Sequence, residues 1–197
     1  MFGCYSMKSS NKKRITLDRT SWLDAAIETL GRSGIAAVSI VQLANDLGVT
    51  RGSFYHHFND RDDLLKSMLD YWEQTWTIEV REEIRSLTVS PAEKLQALVH
   101  AIREHSAAVH DAPFRAWALY DPMARSYLVR VDEIRVNYIR GLFEEAGFSG
   151  IDAENRARLL VHYEMSDPSF FAPRNTETEI RLIDERLKLL MQPGYDH

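Results

Sequence analysis

Cysteine is almost missing: Cys4 is the single one in 197 residues. That excludes an internal disulfide and any metal centre built from a cysteine cluster. No apolar run approaches the ~20 residues that a bilayer-spanning helix needs. Met1 to Ser10 lacks the apolar core of a signal peptide, so a cytoplasmic location is expected. Strand-like alternation of useful length, internal repeats and low-complexity segments are absent as well. So are the His-Glu-x-x-His pair, the glycine-rich phosphate loop and the nucleophile elbow. His100, His105 and His110 recur every five residues. Five steps along a helix turn through about 500°, so these side chains fan apart rather than share a metal. His56 and His57 are adjacent, and His162 and Glu164 are two apart, so each pair also diverges. The expectation is a protein with no enzymatic activity, no metal and no cofactor.

What remains is a chain with 45% hydrophobic residues, enough for a sizeable core, patterned for helices throughout. The expected fold class is all-α, with about nine helices. Thr16 or Asp18 caps a first helix running to about Arg32, with Trp22, Leu23, Ala26, Ile27 and Leu30 on its apolar side. Leu65, Leu69, Trp72, Trp76, Val80, Ile84 and Leu87 are spaced by three or four, which predicts one long helix from Arg61 to about Ser86. Ser90-Pro91-Ala92-Glu93 is a capping box opening a helix that carries Leu95, Leu98, Val99, Ile102 and Val109. Asp111-Ala112-Pro113 should break it, leaving a short helix from Phe114 to Tyr120. Asp121-Pro122 opens a long helix to Ala146, and Asp152 another to about Met165. Thr176-Glu177-Thr178-Glu179 is a second capping box, for a last helix with Ile180, Ile183, Leu187 and Leu190 on one face. Leu182, Leu189 and Met191 fall elsewhere on it, and a helix apolar on several sides needs more partners than one protomer supplies.

The informative stretch is Ser39 to Phe58. Ser39 can cap a helix whose Ile40, Leu43, Ala44 and Leu47 share one face. Gly48 can end it at positive φ, and Thr50 is a fresh cap. The next helix, Arg51 to roughly Phe58, turns Phe54 and Phe58 inward. Its other face carries Arg51, Ser53, Tyr55, His56 and His57, all able to hydrogen-bond. A helix this short needs neighbours to exist, and a polar, aromatic outer face suits the reading half of a helix-turn-helix.

The series Gly34-Ile35, Ser39 to Ala44 and Leu47 to Phe58, followed by Asp62, Asp63 and Leu64, resembles the DNA-binding domain of TetR-family transcriptional repressors. The match covers roughly Leu17 to Leu69. The resemblance implies a homodimer that binds a near-palindromic double-stranded operator and responds to a small-molecule effector. It assigns DNA contacts to Ser39, Gln42, Thr50, Arg51, Gly52, Ser53, Tyr55, His56, His57 and Arg61. In this scheme Arg51 meets guanine or phosphate and Gly52 lets the backbone come close. Ser39 and Arg61 anchor phosphates, Arg61 standing where the family usually has lysine. Val41 departs from the pattern, since many relatives carry a basic contact residue there. The resemblance also implies that the last two helices pair with their twins, with Leu160, Ile180, Ile183, Leu187 and Leu190 as the interface.

Three segments follow: a basic tail at 1–13, expected to be disordered, a DNA-binding domain at 14–60 and a helical regulatory and dimerisation domain at 61–197. Lys12, Lys13 and Arg14 form a candidate arm for phosphate or the minor groove. The net charge of −5 is divided unevenly: residues 1–70 hold nine bases against eight acids, and the rest holds fifteen against twenty-one. Aromatic and apolar residues suggest a pocket from Trp72, Trp76, Trp117, Tyr120, Met123, Tyr163 and Phe170, for an apolar or aromatic effector. His100, His105, Arg115 and Glu164 are the polar groups that would orient it. The other reading is a DNA-binding regulator controlled by a protein partner, or by nothing, with a solid helical core.

Overall fold

The computed structural model describes residues 17–104, 107–165 and 176–193. Among these residues there are nine α-helices and no strand. Helix α1 spans Arg19–Ser33, a 3-10 turn follows at Ile35–Ala37, and α2 and α3 span Ile40–Asp46 and Arg51–Phe54. Helix α4 runs over 61–86 as Arg61–Glu73, a π-helical stretch at Gln74–Glu79, and Val80–Ser86. Then come α5 (Pro91–Glu104), α6 (Ala107–Ala118), α7 (Pro122–Glu145), α8 (Gly150–Glu164) and α9 (Thr176–Leu190).

Local chemistry sets the helix ends. Asp18 caps α1 by accepting from Ser21 N at 2.8 Å, and Asp121 caps α7 through Ala124 N at 2.9 Å. At α5 the expected box forms in both directions: Ser90 Oγ accepts from Glu93 N, and the Glu93 carboxylate accepts from Ser90 N. Gly48, at φ 66°, turns the chain from α2 into α3, a conformation that costs an L-residue about 1–2 kcal/mol.

Two apolar cores divide the molecule. The first joins Trp22, Leu23 and Leu30 of α1, Leu43 of α2, Phe54 of α3 and Phe58. It continues without interruption through Leu64, Met68, Leu69 and Trp72 of α4 into Phe114 and Trp117 of α6 and Tyr127 and Val131 of α7. The second holds Ile84, Leu95 and Val99 against Val136, Ile139 and Phe143, with Leu160 and Val161 of α8 and Ile183 and Leu187 of α9. Helices α4 and α7 pass through both.

Three sequence expectations change. The break foreseen at 111–113 is not there. Helix α6 runs through it, with Pro113 inside. Asp111 is taken up by buried partners instead of ending the helix, and the proline ring faces α1, 3.6 Å from where a Cβ on Gly31 would stand. Helix α3 is shorter than foreseen: after Phe54 the chain tightens into a turn, with His57 N bonded to Phe54 O at 2.9 Å. Three-residue bonding of this kind is how short helices close. The long α4 exists, but its register slips once, at the π-helical stretch. The tail at 1–13 and the arm of Lys12, Lys13 and Arg14 lie outside the described residues. So do Phe170, His105 and the side chains of Thr176 and Glu179.

Candidate nucleic-acid interface and interior cavity

Helix α3 is held by its back. Phe54 is fully buried, edge-on to Trp22 at 5.4 Å and stacked on Phe58 at 5.2 Å. That anchoring turns the other side outward. Thr50, Arg51, Gly52, Tyr55 and His56 are exposed, and Ser53 and His57 are half-buried. Gln42 is exposed on α2 beside them, with its amide donor already engaged by Asp46 at 2.8 Å. Ser39 caps α2, its Oγ accepting from Gln42 N at 3.2 Å. Thr50 occupies the cap position of α3 without a side-chain bond to the helix. Val41 is half-exposed on the same side. The arrangement is a polar, aromatic ridge on a rigid apolar base, with Arg51 able to fork onto a guanine or a phosphate.

Arg61 is a correction. Its Nε donates to Val38 O at 2.7 Å and its Nη2 to Ile35 O at 2.9 Å. The guanidinium braces the turn between α1 and α2 and does not point outward as a phosphate anchor. The start of α4 is unsuited to an anion for a second reason. Asp60 caps it through Asp63 N at 2.8 Å, and Asp62 and Asp63 lie in its first turn. These acids complement the positive end of the helix dipole.

The second core is hollow. A cavity of about 460 Å3 lies between the second half of α4, α5, the start of α6, α7 and α8. Its walls are mainly apolar, including Trp76, Val80, Leu98, Val99, Ile102, Ile134, Ile139, Leu160, Val161 and Met165. Its polar groups include Thr77, His110, Arg135, Tyr138 and Glu164, with Glu79 and Glu83 exposed. This is the usual make-up of a small-molecule site. Burial pushes the His110 imidazole below the ordinary histidine range, so it faces the cavity uncharged at neutral pH beside Trp76. Burial also raises the Tyr138 phenol.

Of the residues expected to form a pocket, Trp76 lines this one, and so does Glu164 of the polar candidates. The others do not. Trp72 is core, stacked on Phe114 at 4.8 Å, and Trp117 is core beside it. Met123 packs against the first core, and Tyr120 is 89% exposed. Tyr163 lies under the Arg186 guanidinium at 3.8 Å, outside the cavity wall, and half-buried His100 is outside it too. Arg115 is locked between Asp111 and Asp132.

The expected interface residues are corrected in the same way. Leu160, Ile183 and Leu187 are buried within the protomer, and Leu190 packs against the same core. Ile180 alone of the set stays half-exposed. The apolar residues that face outward on these helices are Ile151 and Leu159 (62% exposed) on α8, and Ile180, Leu182 and Leu189 (64% exposed) on α9. One helical step, 100°, separates Leu159 from Leu160.

Sequence reasoning missed Arg135, Thr77 and His110 as cavity groups. A buried ion cluster places the first. Asp111, fully buried, accepts from Trp72 Nε1 at 2.9 Å, Arg135 Nη2 at 2.9 Å and Arg115 Nε at 2.6 Å. Arg115 in turn forks onto Asp132 at 2.6 and 3.0 Å. The only sequence sign was a run of charges at helical spacing, which on its own reads as a solvated face. Among the described residues no three His, Cys, Asp or Glu side chains gather as metal ligands, and no helix is long and apolar enough to cross a membrane.

Comparison with known proteins adds the following. Residues 23–68 match the family described as "Bacterial regulatory proteins, tetR family". The HTH-type transcriptional regulator HbdR of Aromatoleum sp. (strain CIB) is 30% identical over 148 residues, 70% of this chain and 61% of that protein. The HTH-type transcriptional repressor KstR2 of Mycobacterium tuberculosis is 31% identical over 99 residues, 46% of this chain and 47% of that one. The chain thus spans about half to three fifths of the curated relatives it matches first. A solved transcriptional regulator from Rhodococcus sp. Rha1 superposes with a TM-score of 0.69 at 18% identity, covering 89% of this chain and 96% of its own. At that identity the likeness is one of fold.

Proposed function

Residues 23–68 match the tetR family of bacterial regulatory proteins, and from that premise we propose that the chain is a sequence-specific transcriptional regulator, a repressor released from its operator by a small apolar or aromatic ligand. The observation that carries the DNA half is the α3 ridge: Arg51, Tyr55 and His56 are exposed while Phe54 and Phe58 are fixed below them. Two such ridges, one from each protomer, read successive major grooves of a near-palindromic duplex. Pairing runs through the outward residues of α8 and α9, with Leu159, Leu182 and Leu189 at its centre in place of the inward leucines.

The cavity supports control by a ligand over control by a protein partner, since a partner-controlled regulator needs no hollow core. Its wall includes the π-helical stretch of α4, and the same helix packs at its other end under α1 and Phe58. A ligand that prefers one setting of α4 shifts operator affinity by the factor by which the operator shifts ligand affinity. Arg51→Ala tests the DNA half: in a gel-shift at fixed salt, operator binding weakens by about 1–3 kcal/mol if Arg51 reads a base. Unchanged affinity removes Arg51 from the contact set.

A further inference from the structure

The polar side chains of the cavity wall differ in what they have left to offer. Thr77 Oγ1 accepts from Arg135 Nε at 3.1 Å, and Arg135 Nη2 donates to Asp111 at 2.9 Å. Arg135 Nη1 and the Tyr138 hydroxyl have almost no accessible surface, so an occupant does not reach them. Glu164 has one oxygen on Arg103 and the other on Arg186. Arg81 is paired with Glu82 at 2.7 Å, and Thr75 lies beside the Tyr71 phenol. His110 and Trp76 stand apart. Both line the cavity and are half-buried, and among the described residues no hydrogen bond involves either side chain. Their nitrogens are not among the polar atoms sealed in the wall. The two rings meet where α6 faces α4, with centroids 3.9 Å apart and planes inclined at 62°.

The chemistry of the two rings decides what they hold. An indole nitrogen only donates, whereas a neutral imidazole donates from one nitrogen and accepts at the other. Burial keeps His110 neutral, and no charged neighbour acts against it. A hydroxyl group, donor and acceptor at one oxygen, can use both roles of the imidazole. A carboxylate only accepts, and its charge in a mainly apolar cavity needs a cation to offset it. The cations of the lining, Arg81 and Arg135, are committed to Glu82 and Asp111. The triad of Glu164 with Arg103 and Arg186 has one positive charge over, but the member of it that lines the cavity is the carboxylate.

We propose that the cavity takes an uncharged aromatic molecule bearing a hydroxyl group, hydrogen-bonded to His110 and packed against Trp76. This assignment rests on the reading of the cavity as an effector site. A volume of about 460 Å3 among Leu98, Val99, Val161 and Met165 has room for a skeleton of two fused rings. The assignment also gives the occupant a direct hold on α4, because Trp76 belongs to its π-helical stretch.

The test is calorimetric titration of the full-length protein with three probes of one skeleton: 2-naphthol, 2-methylnaphthalene and 2-naphthoate. The naphthol is expected to bind about threefold to tenfold tighter than the hydrocarbon, the gain of one hydrogen bond between uncharged groups. The carboxylate is expected to bind more weakly than the naphthol. His110→Phe, which keeps a ring against Trp76 and removes both nitrogens, is expected to bring the affinity ratio of naphthol to hydrocarbon down to about one. His110→Leu, read by the same ratio, is expected to do likewise, so the comparison does not hang on one variant folding. Equal binding of naphthol and hydrocarbon, carboxylate as the tightest probe, or a folded His110 variant that keeps the ratio overturns this assignment while the cavity reading stands. Binding by none of the three overturns the cavity reading, and the assignment with it.

Discussion

Replacing Gly52 by alanine should move stability and DNA binding in opposite directions. Gly52 lies inside α3 with ordinary helical backbone, not in the left-handed region. A Cβ built on it meets Thr50 Oγ1 at 3.6 Å, an ordinary van der Waals contact, and nothing nearer. The fold therefore has no need of glycine here. Where the backbone conformation suits alanine, replacing glycine gains about 0.4–1 kcal/mol, mainly by reducing the freedom lost on folding. Gly52→Ala should stabilise the protein by roughly 0.5–1 kcal/mol, which for a chain of this size raises the thermal midpoint by about 1–4 °C. On the DNA side the added methyl stands on the exposed ridge between Arg51 and Ser53, where the duplex backbone must come close. A shift of a few tenths of an ångström in that docking loses charge-assisted bonds, and operator affinity should fall by about tenfold, or 1.4 kcal/mol. Thermal unfolding followed by circular dichroism and a gel-shift at fixed salt measure the two effects. A stabilised variant with undiminished operator affinity would show that Gly52 does not face DNA. A destabilised variant would show that the local helix geometry has been misjudged.

Three further outcomes are expected. Arg61→Met should destabilise the protein by about 1–3 kcal/mol, because the Ile35 and Val38 carbonyls lose charged donors; salt dependence of DNA binding should be unaltered, where loss of a phosphate anchor would lower it. Leu189→Asp should separate the dimer in sedimentation while the protomer stays folded, whereas Leu187→Asp, with its side chain inside the second core, should unfold it; an intact dimer in the first case refutes the outward face as the interface. Asp111 should govern acid stability. Burial alone would raise its pKa, but Arg135 and Arg115 together hold it below the usual aspartate value. A depressed folded-state pKa means that its stabilisation is complete above the unfolded value near 3.9 and is lost as pH falls through the folded one. Asp111→Asn should cost about 3–5 kcal/mol at neutral pH, and the deficit should shrink below pH 4; a deficit unchanged at low pH refutes the ionised role.

The local pattern from Ser39 to Phe58 was legible because each step has a short-range cause: a cap, a face at i, i+3 and i+4, a glycine, a second cap. The length of α4 was legible for the same reason. Reading failed where the answer depended on what packs across. Trp72 and Trp76 lie on one stripe, yet one stacks on Phe114 in solid core and the other borders a void; spacing holds no information about the opposing wall. Leu159 and Leu160 are equally apolar, and only the neighbouring helices decide which faces out. The charge of Arg61 is visible in the sequence, while the carbonyls of Ile35 and Val38 that claim it are not. Pro113 has the signature of a stop in the sequence, while its packing against Gly31 and the pairing of Asp111 with Arg135 and Trp72 are tertiary and leave no local trace.

The central claim is that two copies of the α3 ridge read one duplex. Selection of bound sequences from a pool of random duplex DNA by the purified protein tests it most directly. The account predicts enrichment of a near-palindrome whose half-sites lie one helical turn, about 10 base pairs, or a multiple of it apart, and loss of that enrichment with Arg51→Ala. A pool that stays random, or a preferred sequence that Arg51→Ala selects equally well, would contradict it.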